Sequence, residues 1–391
     1  MGNSFKTYLK HTYKDFNFRS VNPPLVRTST MVFKSMNDLR KLQKKNKKNP
    51  RGGYFEYGRQ GTSTTHELEK ILTNLEEAHY TFLTPTGFGA VFLSLFSILR
   101  PGDEIILADP IYSPTRLLSE NYLKEFDIEA KFYDPNNLNT IKTKLTKKTK
   151  LIYVENPGSN TFEFQDLGSI LKIAKKYKIY TAIDNTWGTP YFIKPIKLGF
   201  DMSIVSATKY YSGHSDVMGG SLAVSKRIFK KVMEAQNMTG LRLSPDDAYL
   251  IMRGIRTLDV RLDKHQENAN IVAKFLSKKK NIKVLYPIVK GSKNFKLWKK
   301  YYSGSSGLMG IKIKAKNKKF VDKFVNSLSL FGHGYSWGGF ESLALHQEIR
   351  EQGNRKFLNL NKNEYIVRLH IGLEDPVDLI NDINKSLKYI K

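Results

Sequence analysis

Between residues 80 and 225 the chain alternates between short apolar runs and longer stretches of helical periodicity, and few folds accommodate that rhythm. The runs "YTFLT", "EIILAD", "EAKFYD", "LIYVEN", "IYTAID", "SIVSAT" and "SLAVS" read as strands, with "FGAVFLSLFSIL" and "LGSILKIAKKY" among the helices between them. Runs this apolar are buried on both faces, which implies an α/β fold with a large, doubly wound, mostly parallel sheet. At 391 residues the chain exceeds one compact core. A long helical stretch opening at "DDAYLIMRGIRTLDV" leads to a C-terminal part with its own strands, "LMGIKIKA" and "YIVRLHIG", which predicts a smaller α+β domain. Residues 1–58 lack sustained periodicity and read as an extended arm with a basic helix near 35–47. The expected division is therefore an arm at 1–58, a large α/β domain at 59–250 and a C-terminal domain at 251–391. Thr64 and Glu67 in "TTHE" have capping-box spacing, which predicts a helix starting there.

Composition narrows the partners. The net charge of +28 would suit a polyanion, but the lysines fall in scattered clusters such as "LRKLQKKNKKNPR" and "KTKLTKKTK", where solvated loops and helix faces are expected. No helix-turn-helix, zinc-finger or aromatic-basic RNA motif accompanies them, so no specific nucleic-acid binding is expected. No apolar run approaches the roughly 20 residues of a membrane span, and the start lacks an apolar export region. With no cysteine, thiolate metal sites and a cysteine nucleophile are excluded, and the expected location is the cytoplasm. His214, His333, His346 and His370 show no metal-ligand spacing, and no metal is expected.

In doubly wound sheets ligands gather beyond the carboxyl ends of the strands, so the residues after each strand carry the chemistry. After "YTFLTPT", Gly87 opens a helix whose free N–H groups suit a phosphate. After "EIILAD" comes Tyr112, an aromatic able to stack on a flat ring. Asp184 ends "IYTAID", where a carboxylate requires a cationic partner such as a protonated pyridine nitrogen. One strand further on, Lys209 lies in "SATKYYSGHSDVMGG" with Ser206 and Thr208 beside it as hydroxyl donors. A lysine in such a loop can form a Schiff base, and burial near other cations lowers its pKa. Lysine, acid, aromatic, glycine turn and hydroxyls are together what pyridoxal 5′-phosphate requires.

These motifs, with "AIDNTW", "YGRQGT", "ENPGSNTFE", "YSWGGFESL" and "VRLHIGLED", resemble the pyridoxal-phosphate enzymes of cysteine and methionine metabolism, the group of cystathionine lyases and synthases within fold type I. The resemblance runs from about residue 50 to the end. It implies Lys209 as cofactor-bearing lysine and proton shuttle, with Tyr112 beside it and Asp184 on the ring nitrogen. It further implies a homotetramer of dimers with shared active sites, in which Tyr57 and Arg59 reach the neighbouring subunit's phosphate. Arg368 matches the position that grips the substrate α-carboxylate, and its guanidinium fork suits two parallel hydrogen bonds. Ser336 and Trp337 resemble the cystathionine β-lyases, γ-active relatives tending to carry a small residue in place of the indole. Phe88 is bulkier than in many relatives and bears on the ring pocket. The expectation is thus a small amino-acid substrate and carbon–sulfur β-elimination from cystathionine, with racemisation of a small amino acid as a side reaction. The alternatives are a γ-synthase, a γ-lyase or a methionine γ-lyase of the same group, and a catalytically inactive basic binding protein on the same fold.

Overall fold

A computed structural model describes residues 4–13, 19–287, 293–349 and 355–390. Seven strands form the large sheet: β1 Tyr80–Thr84, β2 Glu104–Ala108, β3 Glu129–Tyr133, β4 Thr149–Glu155, β5 Tyr180–Asp184, β6 Met202–Val205 and β7 Gly220–Val224. Their order is β1-β7-β6-β5-β4-β2-β3. The contacts of β7 with β1 and β6 are antiparallel and the remaining pairs parallel. Every residue of β2, β6 and β7 is buried, as expected of strands covered on both faces.

The smaller sheet consists of β8 Ile282–Leu285, β9 Leu308–Lys314, β10 Leu343–Gln347 and β11 Glu364–His370, all antiparallel in the order β10-β11-β9-β8. Of these, β9 and β11 follow from the sequence. The short β8 and the half-exposed β10 have too little apolar alternation to announce themselves.

The stretch predicted as one long helix is two, Pro245–Ile255 and Leu258–Leu276. The first packs its Gly254 directly on the chain after Lys209: a Cβ there would meet Ser212 O at 2.3 Å and Tyr211 O at 2.4 Å. The predicted capping box also sits two residues upstream. Thr62 caps the helix Ser63–Glu76 and exchanges hydrogen bonds with Thr65. The Thr64 hydroxyl instead donates to Pro24 O at 2.9 Å and accepts from Val26 N at 2.8 Å, tethering the arm.

The basic helix is present at Met36–Lys48 and buries none of its residues. The arm's first turn docks on its own chain. Leu9 of the helix Phe5–Lys10 is fully buried, and Lys6 and Lys10 pair with Asp263 and Asp259, each at 2.6 Å.

Candidate active site

The carboxyl ends of β4, β5 and β6 and the loop after β1 border one cavity of about 430 Å³. Gly87, Phe88, Tyr112, Asp184, Ser206, Thr208, Lys209, Ser336, Trp337 and Arg368 all line it. Positions as far apart in the chain as Gly87 and Arg368 thus meet at one point, with the last three residues supplied from beside and within the small sheet.

At one end the helix Gly87–Phe96 begins. Its cap, Thr86, accepts from Gly89 N at 2.9 Å, which leaves the Gly87 and Phe88 amides for another acceptor. Only glycine fits at 87, since a Cβ would come within 2.5 Å of Ser206 Cβ. The Thr208 hydroxyl accepts from Gly219 N at 3.0 Å and lies 3.2 Å from Gly219 O, so it staples its own loop as well as facing the cavity.

At the other end stand two acids. Asp184 Oδ1 accepts from Thr186 N at 2.9 Å, and Asp184 has no ion-pair partner among the described residues. Burial raises its pKa, opposed by the Thr186 hydrogen bonds and by Lys209. Glu155, opposite Asp184 in the β4–β5 register, is pushed well above the usual carboxylate range by burial and by the Asp184 charge. Its Oε2 accepts from Tyr112 N at 2.5 Å and so fixes the start of the Tyr112 loop. Glu155 was missed in the sequence, although it ends a strand as Asp184 does.

Lys209 Nζ donates to Ser336 Oγ at 2.6 Å and lies 5.6 Å from the centre of the Trp337 ring. Burial and the Arg368 charge lower its pKa to about 8, against the raising effect of Asp184. Arg368 Nη2 donates to Ser336 O at 3.3 Å, and burial lowers its pKa as well. The backbone after Lys209 is clamped by Arg261, whose Nη1 donates to Tyr210 O at 2.8 Å and whose Nη2 donates to Gly254 O at 2.7 Å. Arg261 has no sequence signal, because an arginine in a helix reads as surface charge.

Tyr57 and Arg59 lie outside this cavity. Tyr57 is 49% exposed, and Arg59 Nη1 donates to Asn237 O at 3.3 Å. Among the described residues no group of three metal-ligating side chains forms. His346 bonds Asp322 at 2.7 Å, His333 bonds Val325 O at 2.9 Å and His214 bonds Ser212 O at 2.6 Å. No described helix is long and apolar enough to cross a membrane.

A lysine, a strand-end acid, an aromatic and a phosphate-ready helix start on a doubly wound sheet define a class, and the comparisons agree with it. The family model of the Cys/Met metabolism PLP-dependent enzymes matches residues 7–388, and the chain belongs to that family. It is 35% identical to the cystathionine beta-lyase of Haemophilus influenzae over 96% of each chain. It is 34% identical to the L-alanine/L-glutamate racemase of Wolbachia pipientis over 94% of this chain and 92% of that one. A solved structure of cystathionine gamma synthase from Xanthomonas oryzae, in complex with aminoacrylate and cysteine, superposes with a TM-score of 0.90 at 28% identity. That match covers 100% of this chain and 99% of the other.

The residues present fit pyridoxal phosphate. The Asp184 carboxylate, without an ionic partner among the described residues, suits a protonated ring nitrogen, and the uncapped amides at Gly87 and Phe88 suit a phosphate.

Proposed function

We propose that the chain is a pyridoxal-phosphate-dependent carbon–sulfur β-lyase that cleaves L-cystathionine, with one water, to homocysteine, pyruvate and ammonia, a step of methionine biosynthesis. The observation that carries this reading is Lys209 Nζ at 2.6 Å from Ser336 Oγ and beside the Trp337 indole, in a cavity whose only other lining cation among the described residues is Arg368.

When bound, pyridoxal phosphate supplies an electron sink for the pair left on the substrate α-carbon. Lys209 Nζ takes the α-proton, with Tyr112 the neighbouring candidate for that role. A pKa near 8 keeps part of the lysine neutral at physiological pH, so it can act as a base there. Arg368 grips the α-carboxylate through its fork. The Asp184 carboxylate pairs with the ring nitrogen, the Tyr112 ring covers the flat face, and the Gly87 and Phe88 amides with Ser206 and Thr208 hold the phosphate. Trp337 and Ser336 shape the substrate side, the indole limiting how the chain beyond the β-carbon lies. Tyr57 and Arg59 complete the partner's phosphate site in a cytoplasmic homotetramer, consistent with their standing outside their own cavity. The arm 1–58 then serves the neighbour, with 59–250 binding the cofactor and 251–391 closing the substrate side. Racemisation of a small amino acid accompanies the lyase activity, a reading supported by the racemase name of one relative.

The second reading is γ-chemistry, favoured by the likeness to a cystathionine gamma synthase. Incubating the cofactor-loaded protein with L-cystathionine and quantifying both keto acids separates the two. Pyruvate in excess is the expected result. 2-Oxobutyrate as the main product would overturn it in favour of γ-elimination, and neither keto acid would favour an inactive binding protein.

A further inference from the structure

Strand β11 sends two successive residues of one face toward the segment 336–339. Arg368 holds the carbonyl of Ser336. Two residues on, the buried His370 has its Nε2 3.1 Å from Gly338 N and 3.1 Å from Gly339 O. In either neutral tautomer this nitrogen therefore has a backbone partner, as acceptor from Gly338 N–H or as donor to the Gly339 carbonyl. The imidazole is neutral, since burial and the neighbouring His265, Arg368 and Lys209 hold its pKa well below the ordinary value.

The segment it grips is strained and close-fitting. Ser336 has φ +90°, which a non-glycine residue adopts at a cost of about 1–3 kcal/mol, so the surroundings must impose it. Gly338 has φ +89°, and a Cβ there would sit 2.9 Å from Lys209 C and Tyr210 N. This backbone carries the hydroxyl that meets Lys209 Nζ and the Trp337 indole. Tyr210 packs between the two, with ring centres 5.5 Å from Trp337 and 6.1 Å from His370.

We propose that His370 is a positioning residue for substrate selection: through the Gly338–Gly339 backbone it fixes the Ser336 hydroxyl on Lys209 and the Trp337 indole beside the cavity. It touches neither substrate nor cofactor, and it acts on the β-lyase reading through the loop alone. The role deepens that reading and rests on it only for the choice of product.

The test uses the cofactor-loaded protein labelled with 5-fluorotryptophan. The chain has three tryptophans, so three ¹⁹F resonances are expected, and Trp337→Phe identifies one of them. In His370→Leu the Trp337 resonance should move or broaden while those of Trp187 and Trp298 stay. His370→Gln, which keeps a hydrogen-bonding group, should restore it. With L-cystathionine, His370→Leu should raise the ratio of 2-oxobutyrate to pyruvate by about fivefold, the effect of losing one ordinary buried hydrogen bond, and His370→Gln by less. A stationary Trp337 resonance in His370→Leu, or equal movement of all three, would overturn the proposal. So would a moved resonance with an unchanged product ratio. If His370→Leu does not fold, His370→Phe, which keeps a buried ring but no hydrogen-bonding nitrogen, is read in the same two ways: a moved Trp337 resonance with a raised ratio upholds the proposal, and a stationary resonance or an unchanged ratio overturns it. Wild-type protein that yields neither keto acid would sink the β-lyase reading, while the ¹⁹F comparison would still decide whether His370 sets Trp337.

Discussion

The cavity around Lys209 and the segment carrying Tyr57 and Arg59 concern one cofactor in our reading, yet they are built in opposite ways. Around Lys209 the polar groups are largely engaged within the chain: the lysine with Ser336, Arg368 with the Ser336 carbonyl, Tyr112 N with Glu155 and the loop backbone with Arg261. The rigid sheet fixes where these groups start. The Tyr57–Arg59 segment has half of Tyr57 in solvent, and among the described residues Arg59 makes one side-chain hydrogen bond, to Asn237 O. The difference has a counterpart inside the cavity. The end at Gly87, which our reading gives to the phosphate, offers amides and hydroxyls, while the two lining cations among the described residues, Lys209 and Arg368, stand on what we read as the substrate side. Among the described residues, a dianionic phosphate there has no cation of its own chain, and the exposed Arg59 has no anion. Each region supplies what the other needs, provided that a second copy brings them together.

Mixed oligomers are the strongest way to break that comparison. Lys209→Ala alone should lower kcat by about 10³-fold or more, the loss expected when a positioned base is removed. Arg59→Ala alone should weaken cofactor retention and lower activity less. Co-expressed, the two variants should form some dimers in which one site combines Lys209 from the Arg59→Ala chain with Arg59 from the Lys209→Ala chain. Activity should then exceed the weighted sum of the separate proteins. Simple additivity, with subunit exchange verified by differential tags, would put Arg59 outside the partner's site.

A smaller effect sharpens the other side of the comparison. Asp184→Asn keeps the hydrogen bond to Thr186 N but removes the buried charge, so it should lower kcat by about 10²-fold while changing KM little, because the carboxylate matters as charge develops in the transition state. Near-normal kcat would show that the ring nitrogen is held some other way.

The sequence exposed the site's chemistry better than its supports. Lys209, Asp184 and Tyr112 were legible because a doubly wound sheet delivers strand ends to one edge, so their order along the chain already implied proximity. Trp337 and Arg368 were legible only through family resemblance, since nothing local brings a C-terminal strand to a loop at 209. Arg261, Glu155 and the grip of His370 on Gly338 went unread: each acts through backbone atoms distant in sequence, and hydrogen bonds of that kind leave no periodic trace. The displaced capping box has a related cause. Thr62, Thr64 and Thr65 are chemically alike as caps, and the arm's need for a tether at Val26 and Pro24 decided which one the helix used.

The most direct measurement concerns Lys209 itself. The purified, cofactor-loaded protein is reduced with borohydride, digested and mapped by mass spectrometry. The account predicts one pyridoxyl-labelled peptide with the label on Lys209, the lysine that burial and Arg368 bring to a pKa of about 8 beside Ser336. A label on any other of the chain's lysines, or bound cofactor that borohydride leaves unattached, would contradict it.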